Sequence, residues 1–138
     1  MKAIAGMAAV MALALASAGC NTVAPANVYT YETGKQKPLV EVADSSLAGS
    51  LDLGGIVTRD DGGLLTVQAQ FKNAGKSPVR CEYKFVFYDA NGFEMTDARS
   101  RWEPMVFPGN VTNALSATAP SKGAVKAKIY LRKDSAIR

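Results

Sequence analysis

Val79-Arg80-Cys81-Glu82-Tyr83-Lys84-Phe85-Val86-Phe87-Tyr88-Asp89-Ala90-Asn91-Gly92-Phe93-Glu94-Met95 is the stretch whose reading decides the fold. Its first half alternates. Val79, Cys81, Tyr83, Phe85 and Phe87 share one face of a strand, and Arg80, Glu82, Lys84 and Tyr88 share the other, with Val86 the one apolar exception. Successive side chains of an extended chain point to opposite sides, so a period of two marks a half-buried strand. The pattern ends in Asp89-Ala90-Asn91-Gly92, whose Asn-Gly pair tolerates the positive φ of a tight turn. Phe93-Glu94-Met95 then starts back. The centre of the chain is therefore expected to be a hairpin whose first strand carries an aromatic face.

Outward from this hairpin the same grammar repeats. Upstream, Leu65, Val67, Ala69 and Phe71 alternate with Thr66, Gln68, Gln70 and Lys72, and Asn73 to Pro78 turns the chain. Asp60-Asp61-Gly62-Gly63 reads as a hairpin turn, and Gly54-Gly55 as a bulge in the strand before it. Leu39-Val40-Glu41-Val42 is a short first strand. Downstream, Trp102 to Phe107 is a broken edge strand, because Pro104 cannot donate to a ladder. Val111 to Ala119 is a strand with Leu115 and Ala117 inward. Val125, Ala127, Ile129 and Leu131 finally alternate with Lys126, Lys128, Tyr130 and Arg132. About seven short strands with regular turn signals and no helix predict an all-β fold, an antiparallel β-sandwich of immunoglobulin-like architecture.

The first residues read differently. Met1-Lys2 is a charged start, Ala3 to Ala16 is an apolar run of about 14 residues, and small residues lead into Cys20, which is the layout of a secretory signal peptide. The run is short of the roughly 20 residues that span a bilayer. Ser17-Ala18-Gly19-Cys20 resembles the lipobox of bacterial lipoproteins, with Ser17 in the place usually held by Leu. That resemblance makes Cys20 the lipidated first residue of the mature chain; the alternative is an ordinary cleaved signal and an incidental thiol. Asn21, where an Asp typically retains a lipoprotein in the inner membrane, favours the outer membrane. The expected organisation is a lipoprotein signal peptide over 1–19, the lipidated Cys and a flexible tether over 20–38, and the sandwich over 39–138. Roughly 120 mature residues suffice for one core and not two.

Composition narrows the chemistry. The formal net charge is +4, too mild for a nucleic-acid signature, and the chain has no histidine, which removes imidazole as base or metal ligand. With Cys20 lipidated, Cys81 stands alone on the aromatic face, as a small buried hydrophobe or, alternatively, a reactive thiol. Asp89-x-Asn91-Gly92 opens like a calcium loop, but the twelfth position, which needs a bidentate Glu, holds Ser100. No cofactor and no metal are expected. A paired-carboxylate hydrolase would need two acids together, for example Glu94 and Glu103.

Tyr83 to Met95, with its Tyr and Phe alternation into Tyr88-Asp89-Ala90 and then Gly92-Phe93-Glu94-Met95, resembles the hairpin of the YcfL family of small Gram-negative lipoproteins. The likeness extends to the lipobox, the Pro108 turn and the Val125 to Leu131 strand. It implies an immunoglobulin-like sandwich on a lipid anchor in the cell envelope. Some members are encoded near a lipoprotein activator of peptidoglycan synthesis, which implies envelope maintenance by association alone. The family supplies no catalytic residues to carry over.

Two surface features are candidates for binding. Lys126, Lys128 and Arg132 make a basic stripe on the last strand. They are either protection of an exposed edge against aggregation or a contact for anionic lipid or glycan. Tyr88, Tyr130 and Trp102 either form an exposed aromatic patch or, in the case of Trp102, cap the core. The reading that follows is a non-enzymatic, lipid-anchored periplasmic binding or scaffolding module. Its partners would be the membrane, through Cys20, and another envelope protein or peptidoglycan-associated machinery, with no nucleic acid. The alternative is an assembly or chaperone-like factor that pairs a client strand at a sheet edge.

Overall fold

Buried and exposed residues alternate along the central stretch as expected. The computed structural model of the chain describes residues 24–96 and 100–134. In it Cys81, Phe85 and Phe87 are buried on the inward side of β5 (Val79–Asp89). The turn that follows is held by Asp89, whose carboxylate accepts the amides of Asn91 (2.9 Å) and Phe93 (3.0 Å), and only Gly92 takes a positive φ, 84°. The chain returns as β6 (Glu94–Met95), pairing Tyr88 with Glu94. The signal segment, Cys20 and residues 97–99 lie outside the described residues.

The remaining elements are, in chain order, β1 (Asn27–Glu32), β2 (Leu39–Glu41), α1 (Ser45–Ser50), β3 (Leu51–Asp61), β4 (Leu64–Asn73), β7 (Glu103–Phe107), β8 (Thr112–Thr118) and β9 (Ala124–Lys133). All pairing is antiparallel. One sheet runs β2-β1-β9-β5, with β6 and β7 sharing the far side of β5; the other runs β3-β4-β8. The result is an antiparallel β-sandwich. Its core joins Tyr29, Phe85, Phe87, Phe107, Ile129 and Leu131 of the first sheet to Val67, Ala69, Phe71 and Leu115 of the second. Phe71 meets Tyr29 and Phe107 edge-on, with ring centroids 5.0 and 6.1 Å away. The register shift between Leu53 and Gly55 is the expected bulge, and Gly62 and Gly63, both at positive φ, make the β3–β4 turn.

Four expectations need correction. Nine strands are present among the described residues rather than about seven, and β1 is the one that was not foreseen. Residues 45–50 form one helical turn, not loop: the Asp44 side chain accepts the Leu47 amide (3.1 Å) and Leu47 is buried, so cap and anchor together hold it. The tether does not run to Pro38. Asn27–Glu32 is a strand between β2 and β9, paired with the latter from Asn27↔Leu131 to Glu32↔Lys126, so the sandwich begins at Asn27. Finally, β9 is not an edge: β1 and β5 flank it on either side.

Two buried asparagines tie loops to strands. Asn27 accepts the amides of Ala43 and Asp44 (2.8 Å each) and donates to the Asp44 carbonyl (3.0 Å), pinning the start of β1 to the loop that caps α1. Asn73 donates to the carbonyls of Ser77 (2.8 Å) and Phe107 (3.0 Å) and accepts the Gly75 amide (2.9 Å), joining the β4–β5 turn to the end of β7. Gly109 sits against the same turn. A Cβ there would clash with the Lys76 carbonyl oxygen, so no other residue fits without moving backbone.

The β1 pairing makes a clear prediction. A chain starting at Leu39 leaves β9 unpaired on one side and removes Tyr29 from Phe71. It should show no cooperative unfolding transition, whereas a chain starting at Ala24 should unfold as one unit. Circular dichroism during urea titration distinguishes them. Phe71→Ala in the longer chain should cost about 3–5 kcal/mol.

Candidate functional site

Residues directly opposite each other in an antiparallel pair share a face, so the register of β1, β9 and β5 lays out the outer surface in rows. Tyr88 faces Lys126, which faces Glu32. Val86 faces Lys128, which faces Thr30. Lys84 faces Tyr130, which faces Val28, and Glu82 faces Arg132. Trp102 immediately precedes Glu103, which is opposite Tyr83, so it falls beside Lys84 on this same outer face. The five residues expected to form a binding surface, Lys126, Lys128, Arg132, Tyr88 and Tyr130, are therefore brought together on one side of the sheet.

Cations and rings interleave there. The Arg132 guanidinium lies 3.8 Å from the Trp102 ring centroid. The Lys84 ammonium sits between two rings, 5.0 Å from that of Trp102 and 5.2 Å from that of Tyr130. Lys128 and Lys126 lie over the Tyr88 ring at 5.4 and 5.9 Å. Trp102 and Tyr130 meet edge-on at 6.3 Å. Each such cation–ring contact is worth about 0.5–1 kcal/mol at exposed sites. Arg132 also makes a two-pronged pair with Glu82, at 2.9 Å from Nε and 2.7 Å from Nη2, with side chains only 15% and 17% exposed.

Two expectations change here. The lysines are not edge protection, since their strand is hydrogen-bonded on both sides. Trp102 does not cap the core: it is half-buried, and the ring stacks on the outer face against Arg132 and Lys84. Lys84 and Glu82 were missed as members of the site, although their places opposite Tyr130 and Arg132 follow once β5 and β9 are known to pair.

Titration follows burial. The Tyr88 hydroxyl is pushed up to about 12 by burial and then by its hydrogen bond with Tyr130. The Cys81 thiol is also pushed up to about 12, first by burial and then by the charges of Asp134 and Glu82. A buried thiol held protonated is an inert core residue. Burial, and then the Glu103 carboxylate that accepts its hydroxyl at 3.0 Å, likewise raise Tyr83.

The carboxylates thought of as a dyad are apart. Glu94 is opposite Tyr88 on the outer face and Glu103 is opposite Tyr83 on the inner one, five residues along β5, or about 17 Å at strand spacing. That exceeds the separations of roughly 5–9.5 Å used in glycoside hydrolysis. Among the described residues no three His, Cys, Asp or Glu side chains cluster as a metal site would need. The Asp89 carboxylate is engaged by its own turn.

Comparison with known proteins gives the following. The model of the family described as protein of unknown function (DUF1425) matches residues 39–133. A crystal structure of a DUF1425 family member from Shewanella sp. pv-4 is similar, with TM-score 0.57 and 25% identity over 61% of this chain and 78% of that one. The crystal structure of Campylobacter jejuni cj0090 shares the fold, with TM-score 0.51 and 15% identity over 59% of this chain and 85% of that one. No curated protein matches.

The raised thiol has a testable consequence. A folded-state pKa above the unfolded value contributes stability that is present below the unfolded pKa and lost as pH rises through the folded one. For Cys81 that window runs from about 9 to about 12. In a Cys20→Ser chain, a thiol reagent at pH 8 should label nothing until the protein unfolds. The fall in denaturation midpoint between pH 9 and 12 should be shallower in Cys81→Val than in the parent.

Proposed function

The chain belongs to the DUF1425 family, and from that premise we propose that it is a lipid-anchored binding or scaffolding module of the bacterial cell envelope, close to the YcfL-type lipoproteins within that family. It would be tethered to the outer membrane through Cys20, face the periplasm, and work without catalysis or cofactor. One observation carries this reading: a sheet face where Lys84, Lys126, Lys128 and Arg132 are interleaved with Tyr88, Trp102 and Tyr130. A row of cations in the middle of a sheet costs like-charge repulsion. Since β9 is interior, edge protection does not account for it, and binding does. The separation of Glu94 from Glu103 supports a non-hydrolytic role.

A second reading is favoured by the edge at β2. Leu39 and Val40 are 61% and 45% exposed on a three-residue strand paired only with β1, which leaves backbone groups available to a client strand. An assembly factor working this way binds unstructured β-rich peptides, and a failure to bind any sets it aside.

Anchoring is checked by Cys20→Ser. The variant is expected to lose its acyl chains and move from the membrane to the soluble fraction on cell fractionation. Continued membrane retention after normal cleavage contradicts the lipoprotein assignment. Crosslinking of the mature protein in intact envelopes, followed by mass spectrometry, should return adducts on Lys84, Lys126 or Lys128. Adducts confined to β2 and the β3 edge support the strand-pairing reading instead.

A further inference from the structure

We propose that the outer face of β1, β9 and β5 lies against the bilayer that holds the anchor and binds the phosphate headgroups of its anionic lipids; the proposal rests on the lipid-anchored reading above. Three observations point this way. First, the rings are already covered. Arg132 and Lys84 sit over Trp102, Lys84 over Tyr130, and Lys126 and Lys128 over Tyr88. A sugar-stacking platform needs a bare ring face, whereas this surface presents ammonium groups. Lys84, Lys126 and Lys128 make no salt bridge among the described residues, in contrast to Arg132 with Glu82. What it offers is therefore positive charge for an anion.

Second, the recess beside the face has the same character. Lys35, Lys37, Lys126 and Lys128 line a hollow of about 360 Å³, against Glu32 and Glu41, and Glu32 is itself paired with Lys35 at 3.7 Å. Lysine over tyrosine and tryptophan is also the composition of a protein surface at a membrane interface, where amphipathic rings sit at headgroup depth and long basic side chains reach the phosphates.

Third, reach selects the anion. Because β1 begins at Asn27, only residues 21–26 separate it from Cys20, a span of at most about 25 Å. Asn27 is at the Arg132 end of the face. An acyl chain on Cys20 thus keeps the face close enough to turn onto the bilayer, where lipid phosphates are the abundant anion. An acidic protein would have to compete with them.

Trp102 is the only tryptophan in the chain and so reports on the face directly. Full-length lipidated protein would be reconstituted into vesicles of phosphatidylethanolamine and phosphatidylglycerol carrying a headgroup-depth spin-labelled lipid. Quenching of Trp102 is expected. It should be lost in phosphatidylcholine vesicles, in 0.5 M salt and in Lys126→Gln/Lys128→Gln, and be kept in the charge-matched Lys72→Gln/Lys76→Gln. The Cys20→Ser chain, which has no anchor, should still partition onto the anionic vesicles, and the Lys126→Gln/Lys128→Gln change should weaken that partition roughly 30-fold. Equal Trp102 emission with and without anionic lipid overturns the proposal, as does capture of an acidic protein at Lys126 or Lys128 without quenching. Failure of the lipidated chain to sediment with vesicles of either kind counts against the anchor instead, and the partition of Cys20→Ser then decides the face alone.

Discussion

The structure depends on β9 being hydrogen-bonded on both sides. It pairs six residues of β1, near the start of the described chain, and nine of β5 in the middle. Its inward side chains, Ala127, Ile129 and Leu131, are all fully buried as a result. Pairing residue 27 with residue 131 closes most of the chain into one loop, and the entropy of that closure must be met before the contact is gained. Such non-local pairing makes for slow, all-or-none folding. It also means that no part of the sandwich is separable: without β1 the last strand is an exposed edge with an aromatic residue's worth of core missing behind it.

The same constraint governs the outer face. An edge strand can carry lysines cheaply because half its surroundings are water. An interior strand has neighbours on both sides, so Lys126 and Lys128 must be accommodated by β5 and β1. The rings do this. Tyr88 is opposite Lys126 and Tyr130 is opposite Lys84, which places a negative ring face within about 6 Å of each ammonium. Glu82 does the same for Arg132 with a full charge. Val86, opposite Lys128, is buried although it is on the outward side, so the face is packed rather than loosely solvated.

Much of the fold was legible because it is written locally. The period of two in β4, β5, β8 and β9, the bulge at Gly54-Gly55, the Asp60 to Gly63 turn and the edge status imposed by Pro104 all depend on residues close in sequence. β1 was not legible, for a physical reason. Asn-Val-Tyr-Thr-Tyr-Glu does alternate, but its leading inward residue is Asn27, which counts as polar until its three hydrogen bonds to residues 43 and 44 are known. Asn73 was hidden in the same way inside a turn. The site was half legible: the alternation along β9 gave Lys126, Lys128, Tyr130 and Arg132 one face, and Tyr88 had the right parity on β5. Which strands flank β9 is a matter of topology, and that alone decides between a protected edge and a presented surface. The two places open to Trp102, patch or core cap, could not be separated, because hydrophobic size says nothing about which side of a sheet a loop delivers it to.

The reassignment of Asn27–Glu32 from tether to strand changes the electrostatics as well as the fold. Surface charges are screened over a Debye length of about 8–10 Å at physiological salt. A tether running to Pro38 would let the domain drift several such lengths from any membrane, where a cluster of four cations is felt only by a partner that collides with it. With the proposed anchor on Cys20, a link of residues 21–26 would keep the start of β1 within about two to three Debye lengths, and reorientation would bring the cations closer. Under the proposed anchoring, attraction too weak to recruit a free protein would suffice to orient this one, because the anchor would already have met the entropy of association. Interior position and short reach are two consequences of one strand, and under the proposed anchoring they would together make the orientation of this domain at a bilayer the property on which its lysines act.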